Sequence, residues 1–244
     1  RERTMTTHEA NVRDSRGIQD CVASLEVNLK GVARLEDIEG TMLAQAALAL
    51  LPSCASIVVF GAEVYPEFLD LTKPERIAGA ARMNDLLERH VDYLRGRLTR
   101  ASYAVARAAR AAGFKALPLP GRGPSVDSRF LTAVIPYKAA AEAAGLGEIG
   151  MSGLLVTREY GPRVQLAVCL TEAALISTAR DDARGCRYCN VCVFRCPAGA
   201  IGYPDRSKDE RCAVNRFACA QYVTSAGGCS ECLRVCPVAS PKYE

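Results

Sequence analysis

Nine of the chain's 12 cysteines fall between Cys186 and Cys236, and their spacing restricts the fold more than any other feature of the sequence. Cys186, Cys189, Cys192 and Cys196 form C-x2-C-x2-C-x3-C, with Pro197 next. This is the run that wraps a [4Fe–4S] cubane. Three closely spaced thiolates hold one cluster on a tight loop. The fourth, offset by three residues and followed by proline, reaches a second cluster. A second set is therefore required, and Cys229, Cys232 and Cys236 supply C-x2-C-x3-C before Pro237. Ala226 stands where that set would begin, so the eighth thiolate must come from upstream, from Cys212 or Cys219. The expected sets are Cys186, Cys189, Cys192 and Cys236 for one cluster, and Cys196, Cys229, Cys232 and one of Cys212 or Cys219 for the other. Paired C-x2-C also suits tetrahedral zinc, but the two C-x3-C-P endings and the exchange of ligands between sets point to two [4Fe–4S] clusters.

The remaining composition is that of a globular protein. At 244 residues, 49% hydrophobic and 24% charged, the chain is long enough for one large domain or a domain with a small module. A formal charge of +4, from 31 basic and 27 acidic residues, is too balanced to imply nucleic acid or an anionic membrane as partner. An oxidised cubane with four thiolates carries about −2 by formal counting, so two clusters would bring the protein close to neutral. Arg184, Arg187, Arg195, Arg211 and Arg234 lie near the motifs and suit that balance, or are simply solvated. The polar start, to about Gln19, shows no secretory signal, which makes the cytoplasm the expected location and metal, not disulfides, the expected use of the thiols. One stretch, Met42 to Ala62, imitates a membrane span. Pro52 interrupts it, so it reads as a buried helix (Thr41 to Leu51) and a buried strand (Ser56 to Gly61), with no membrane segment.

Along the chain, residues Asp14 to Leu35 read as a helix to Lys30-Gly31 and then a short strand. Pro74 opens a one-sided helix that ends at Gly113, with Met83, Leu87, Val91, Leu94, Leu98, Ala101, Val105 and Ala108 on its apolar seam. Its other face carries Arg82, Arg89, Arg97, Arg100, Arg107 and Arg110, which reads as a solvated face. His90, beside the seam, reads as a half-buried core histidine. Cys21, Cys54 and Cys169 have apolar neighbours and read as small buried residues. An Ala-rich helix (Pro136 to Ala144) precedes a Gly-rich turn. Strands at Leu154 to Thr157 and Val164 to Cys169, joined through Tyr160-Gly161-Pro162, read as an antiparallel hairpin. Composition shifts between Ala179 and Gly185. The expected division is an α+β core over residues 1–178 and a cluster module over residues 179–244.

Gly145-Leu146-Gly147-Glu148-Ile149-Gly150 matches G-x-G-x-x-G. A dinucleotide site needs a strand before this motif and a helix after it. Here the order is reversed, so the glycines read as a helix C-cap and tight turn, with room for backbone to approach a large flat cofactor.

Several of these stretches resemble a known superfamily. Ile135-Pro136, Ala143 through Gly150, Gly153-Leu154-Leu155-Val156-Thr157 and Glu159-Tyr160-Gly161-Pro162-Arg163-Val164 resemble the corrinoid-binding core of reductive dehalogenases and the variant of it in epoxyqueuosine reductases. Asp209-Glu210-Arg211-Cys212 resembles the lead to the lone upstream cysteine of their double-cluster module, which favours Cys212 as the eighth ligand. The resemblance implies a nitroreductase-like α+β core holding base-off cobalamin beside a ferredoxin-like module that carries two [4Fe–4S] clusters. It implies cofactor contacts at Gly145, Leu146, Gly147, Glu148, Gly150, Gly153, Tyr160 and Gly161. Val126-Asp127-Ser128 resembles the acid context of the epoxyqueuosine enzymes, which would make Asp127 a proton donor; by itself it reads as an Asx-turn residue. The activity implied is that of an iron–sulfur oxidoreductase passing electrons to cobalamin, either a corrinoid reductase or a small dehalogenase-like enzyme. A ferredoxin or flavodoxin would donate the electrons, and a corrinoid protein is a possible partner. The rivals are a corrinoid-free electron carrier, an FMN-dependent reductase and a tRNA-modifying reductase.

Overall fold

The computed structural model describes residues 15–73, 83–123, 126–179, 185–205, 207 and 210–239. Its centre is a four-stranded sheet in the order β1 (Leu29–Arg34), β2 (Ser56–Glu63), β8 (Val164–Thr171), β3 (Ala116–Pro118), with every neighbouring pair antiparallel. The run Ser56-Ile57-Val58-Val59-Phe60 makes β2 a strand buried on both faces. Alternation then assigns its side chains to two layers. Val58, Phe60 and Ala62 join α1 (Arg16–Ser24) and α4 (Met83–Ala111) in one core. Ile57 and Val59 join α2 (Met42–Leu50) and α5 (Tyr137–Ala143) in the other.

The local signals explain most of these elements. Thr41 Oγ1 accepts from the Ala44 N–H at 3.2 Å and caps α2, a contact generally contributing about 1 kcal/mol. Along α4, Leu94, Leu98, Ala101 and Val105 are buried, in line with the apolar periodicity. Ser102 on the same helix is fully buried and donates to the Val168 carbonyl of β8 at 2.9 Å, so the one hydroxyl in that seam is satisfied. Arg89, Arg100, Arg107 and Arg110 are exposed on the opposite face, while Arg97 is half-buried and donates to the Glu26 carbonyl; Arg82 lies outside the described residues. Cys54 and Cys169 are buried, and burial pushes their thiols up to about 11 and about 12.

Two expectations are corrected. The first helix stops at Ser24, because pairing with β2 (Lys30 opposite Phe60, Gly31 opposite Val59) takes Lys30 and Gly31 into strand β1. The stretch around Leu154 does not form a hairpin with the strand that begins at Val164. Instead β7 (Leu155–Val156) pairs with β6 (Glu148–Ile149), and β8 pairs with β2 and β3. A closed turn, Thr157 N–H to the Gly161 carbonyl and Gly161 N–H to the Thr157 carbonyl, redirects the chain between them. Among the described residues no helix is long and apolar enough to cross a membrane. Residues 180–184, where composition shifts, lie outside the description.

Beyond them the chain forms three short helices, α6 (Val191–Phe194), α7 (Arg216–Ser225) and α8 (Glu231–Arg234), and a small ladder of β9 (Ile201–Gly202) with β10 (Ala213–Val214).

Candidate functional site

The site begins at the end of α5. Gly145 N–H donates to the Glu142 carbonyl at 3.1 Å and Leu146 N–H to the Ala141 carbonyl at 2.9 Å, with Gly145 at φ 75°. These are the two bonds of a Schellman cap, so the first glycine of the motif ends a helix and opens none. The order helix, Gly-rich turn, strand agrees with the reading that excluded a dinucleotide site.

The cysteine tail docks on this turn through named contacts. Glu148 Oε1 accepts from the Cys186 N–H at 2.6 Å. Glu142 takes Ile149 N–H at 2.8 Å and both Arg211 amino groups at 2.7 and 2.9 Å. At Gly150 an added Cβ would stand 3.0 Å from Cys186 Sγ, so a side chain there would push the cysteine away. Thr72 and Ser230 share a hydroxyl–hydroxyl bond of 2.6 Å.

The thiols fall into two neighbourhoods. Burial first, then the charges of Cys186 and Cys189, with a smaller contribution from Cys236, push the Cys192 thiol up. Burial, followed by Cys229, Cys219 and Cys196, pushes Cys232 up to about 12. Cys196 thus stands with the downstream motif and Cys236 with the upstream one. Cys219 and Cys232 each feel the charges of Cys229 and Cys196, which groups Cys219 with them. Cys212 instead faces the turn, its Sγ 3.9 Å from where a Cβ on Gly153 would lie. Lys138 stands between these parts: burial and Arg216 lower its pKa, while Cys212, Cys232 and Cys219 raise it. Among the described residues no three His, Cys, Asp or Glu side chains converge as a single metal ion requires. A cubane spreads its thiolates more widely, because each binds a different iron.

Between core and tail lies an open cleft of about 1650 Å³. Its walls include Gly145, Gly147, Glu148 and Gly153 on the core side and Cys196, Cys212, Cys219, Cys229 and Cys232 on the tail side. The other expected cofactor contacts do not line it. Leu146 packs into the α2–α5 core, Gly150 lies against Cys186, and Gly161 sits beneath the Val238 carbonyl. The backbone N–H of Tyr160 donates to Thr157 Oγ1 at 3.1 Å. Lys138, Arg211 and Arg216 also line the cleft. No spacing in the sequence marked Lys138 or Arg216; Arg211 was legible only as the neighbour of Cys212.

Asp127, on the two-residue strand β4 (Val126–Asp127), is tied to Arg129. Its Oδ1 accepts from the Arg129 N–H at 2.9 Å and its Oδ2 from the guanidinium at 2.8 Å. That side chain holds the carboxyl below its usual range. The placement is the Asx-turn. His90 stacks on Phe68 with ring centroids 4.2 Å apart, and burial lowers its pKa.

No family model matches the chain. A tetrachloroethene reductive dehalogenase of Desulfitobacterium hafniense is 33% identical over 117 residues, covering 39% of this chain and 21% of that protein. An epoxyqueuosine reductase of Atelocyanobacterium thalassa is 32% identical over 132 residues, covering 49% of this chain and 42% of the other. The matched regions are thus less than half the length of these relatives. Among solved structures, a catabolic reductive dehalogenase in complex with 3-bromo-4-hydroxybenzoic acid superposes with a TM-score of 0.68 at 18% identity, over 93% of this chain and 32% of that one. An epoxyqueuosine reductase with a tRNA stem loop gives a TM-score of 0.57 at 18% identity, over 96% of this chain and 67% of that one. The layered core with its docked cysteine tail is therefore a mixed α/β fold common to both, and the chain is a relative of the reductive dehalogenase and epoxyqueuosine reductase superfamily.

Proposed function

We propose that this chain is an iron–sulfur oxidoreductase that passes electrons from two [4Fe–4S] clusters to a cobalamin held in the cleft. The observation that carries the reading is that one cleft is walled by the Gly145–Gly153 turn and by the second group of thiols. On this reading a nitroreductase-like core (residues 1–178) carries the corrinoid, and a ferredoxin-like module (residues 179–244) carries the clusters. The donor set fits: Cys186, Cys189, Cys192 and Cys236 would hold one cluster, and Cys196, Cys219, Cys229 and Cys232 the other. The cleft also exceeds the roughly 300–1,000 Å³ of ordinary small-molecule sites, which suits a macrocycle better than a flavin. A structural neighbour of the same fold is a reductive dehalogenase of B12-dependent mechanism. Bound base-off, cobalamin would supply a strongly reducing cobalt centre.

The chain's own residues have separate tasks. With no side chain at Gly145, Gly147 and Gly153, backbone can approach a flat ligand. Lys138, from the core helix α5, and Arg216, from the tail helix α7, put positive charge beside the second group of thiols, which would offset charge gained on reduction; Arg211 is engaged in its ion pair with Glu142. A ferredoxin or flavodoxin would deliver electrons, and a corrinoid protein would be served if the corrinoid is itself the substrate. Anaerobic titration of the reconstituted protein with cob(II)alamin, followed by EPR, tests the reading. A shift to the base-off signal is expected. An unchanged cobalt signal beside intact cluster signals would reduce the protein to an electron carrier or a flavin enzyme.

The second reading is an epoxyqueuosine-type, tRNA-modifying reductase. It is favoured by the exposed Arg89, Arg100, Arg107 and Arg110 along α4 and by the neighbour solved with a tRNA stem loop. It predicts tRNA retention that weakens steeply as salt is raised.

A further inference from the structure

Arg163 is 2% exposed, although it carries a full charge. It follows the Thr157–Gly161 turn, and its guanidinium reaches the far end of the chain. Nη1 donates to the Cys236 carbonyl at 3.4 Å, and Nη2 donates to the Val238 carbonyl at 2.8 Å and to that of Ala239. Gly161 makes room for this contact. It adopts φ +56°, and a Cβ there would lie 2.4 Å from the Val238 carbonyl oxygen. Core and tail are therefore joined here by a socket shaped for residues 236–239. Burying a guanidinium is costly unless its donors are met; Nη1 and Nη2 tie residues 236–239 to the cation, and the Glu63 carboxylate on β2 also feels its charge.

We infer that Arg163 is a positioning residue for the first thiol group: it delivers Cys236 to the cluster there and, as a buried cation, makes that cluster easier to reduce. The inference rests on the two-cluster reading above. Reducing a cluster adds one negative charge, and a fixed positive charge at close range in a dry interior favours that added electron. The effect is local. Cys219 and Cys232 sit among Cys196 and Cys229, with Lys138 as the cation facing Cys219. Arg163 therefore sets the two clusters apart in potential, with the first above where an uncharged residue would leave it.

The test uses the full chain with Arg163→Lys and Arg163→Gln, reconstituted anaerobically beside the wild type. Iron and sulfide are counted, both clusters are titrated by EPR, and the folded state is checked by circular dichroism. Arg163→Gln, which keeps donors and loses charge, is expected to make one cluster at least tenfold harder to reduce, about 59 mV for one electron, and to leave the other unchanged. Arg163→Lys, which keeps charge and cannot span three carbonyls, is expected to lose iron from one cluster more readily while its potential stays near the wild type. Lower iron in both variants with neither potential moved would overturn the tuning role. Wild-type iron and potentials in Arg163→Gln would overturn the inference alone. If Arg163→Gln does not fold, a negative shift in Arg163→Lys overturns the charge argument. A wild type that takes up no iron overturns the two-cluster reading and this inference together.

Discussion

Every residue of strand β2 except Glu63 is buried, whereas helices α6, α7 and α8 of the cysteine tail bury none. The same chain thus contains two kinds of structure. The sheet is covered on both faces by helices, and apolar burial of about 25 cal/mol per Å² is enough to hold such a sandwich. The tail has only Ala200, Ile201 and Val238 as buried apolar side chains among its described residues. It is held instead by point contacts, Glu148 to Cys186, Glu142 to Arg211 and Arg163 to the chain end. Segments without a core of their own fold when metal ligation supplies the free energy. The difference teaches that the two regions answer to different conditions, one to packing and the other, on the proposed reading, to iron.

The sharpest way to break that contrast is to strip the iron. Chelation under reducing conditions is expected to open the segment from Cys186 to Cys236 to protease, while the sheet remains protected. Equal protection of both regions before and after chelation would show that the tail needs no metal. Next in size is the choice of the eighth thiol. Cys219→Ala is expected to halve the iron content, and Cys212→Ala to leave it whole, by iron assay after anaerobic reconstitution; the reverse result would restore Cys212. In the core, Leu98, fully buried on α4, should behave as packing alone. Leu98→Ala is expected to cost about 2–5 kcal/mol of unfolding free energy in denaturant, with iron per folded molecule unchanged.

The smallest effect is on pH. Burial lowers the pKa of His90, so the unfolded chain takes up the proton first. Stability of the core is complete above the ordinary histidine range, near about 6.5, and falls as pH drops from there toward the lower folded-state value. His90→Phe, which keeps the stack on Phe68, is expected to flatten that slope in melts between neutral and mildly acid pH. An unchanged slope would place the pH dependence elsewhere.

Much of this was legible in local pattern. The seam from Leu94 to Val105 repeats at the helical period, and Thr41 and Gly145 are cap residues at the positions where caps occur. The cysteine spacings are the ground for the expected exchange between motifs. What escaped depends on partners far apart in sequence. Strand β8 pairs with β2 across about a hundred residues, and the turn between Thr157 and Gly161 imitates a hairpin loop without being one; register across such a distance is set by which apolar faces need cover. Cys219 lies on α7 at no diagnostic spacing from Cys229, so only the fold brings the two together. Arg163 reads as one more strand-edge arginine until the chain end folds back onto it.

The cleft has one wall from the sheet core and one from the tail, so it exists only while the two are docked. On the proposed reading, a ligand seated between the walls would strengthen the docking, and iron bound in the tail would strengthen the hold on the ligand, by the same factor in each direction. Maturation would then have a natural order: the inorganic part would set the second wall in place, and the organic guest would arrive to a finished seat.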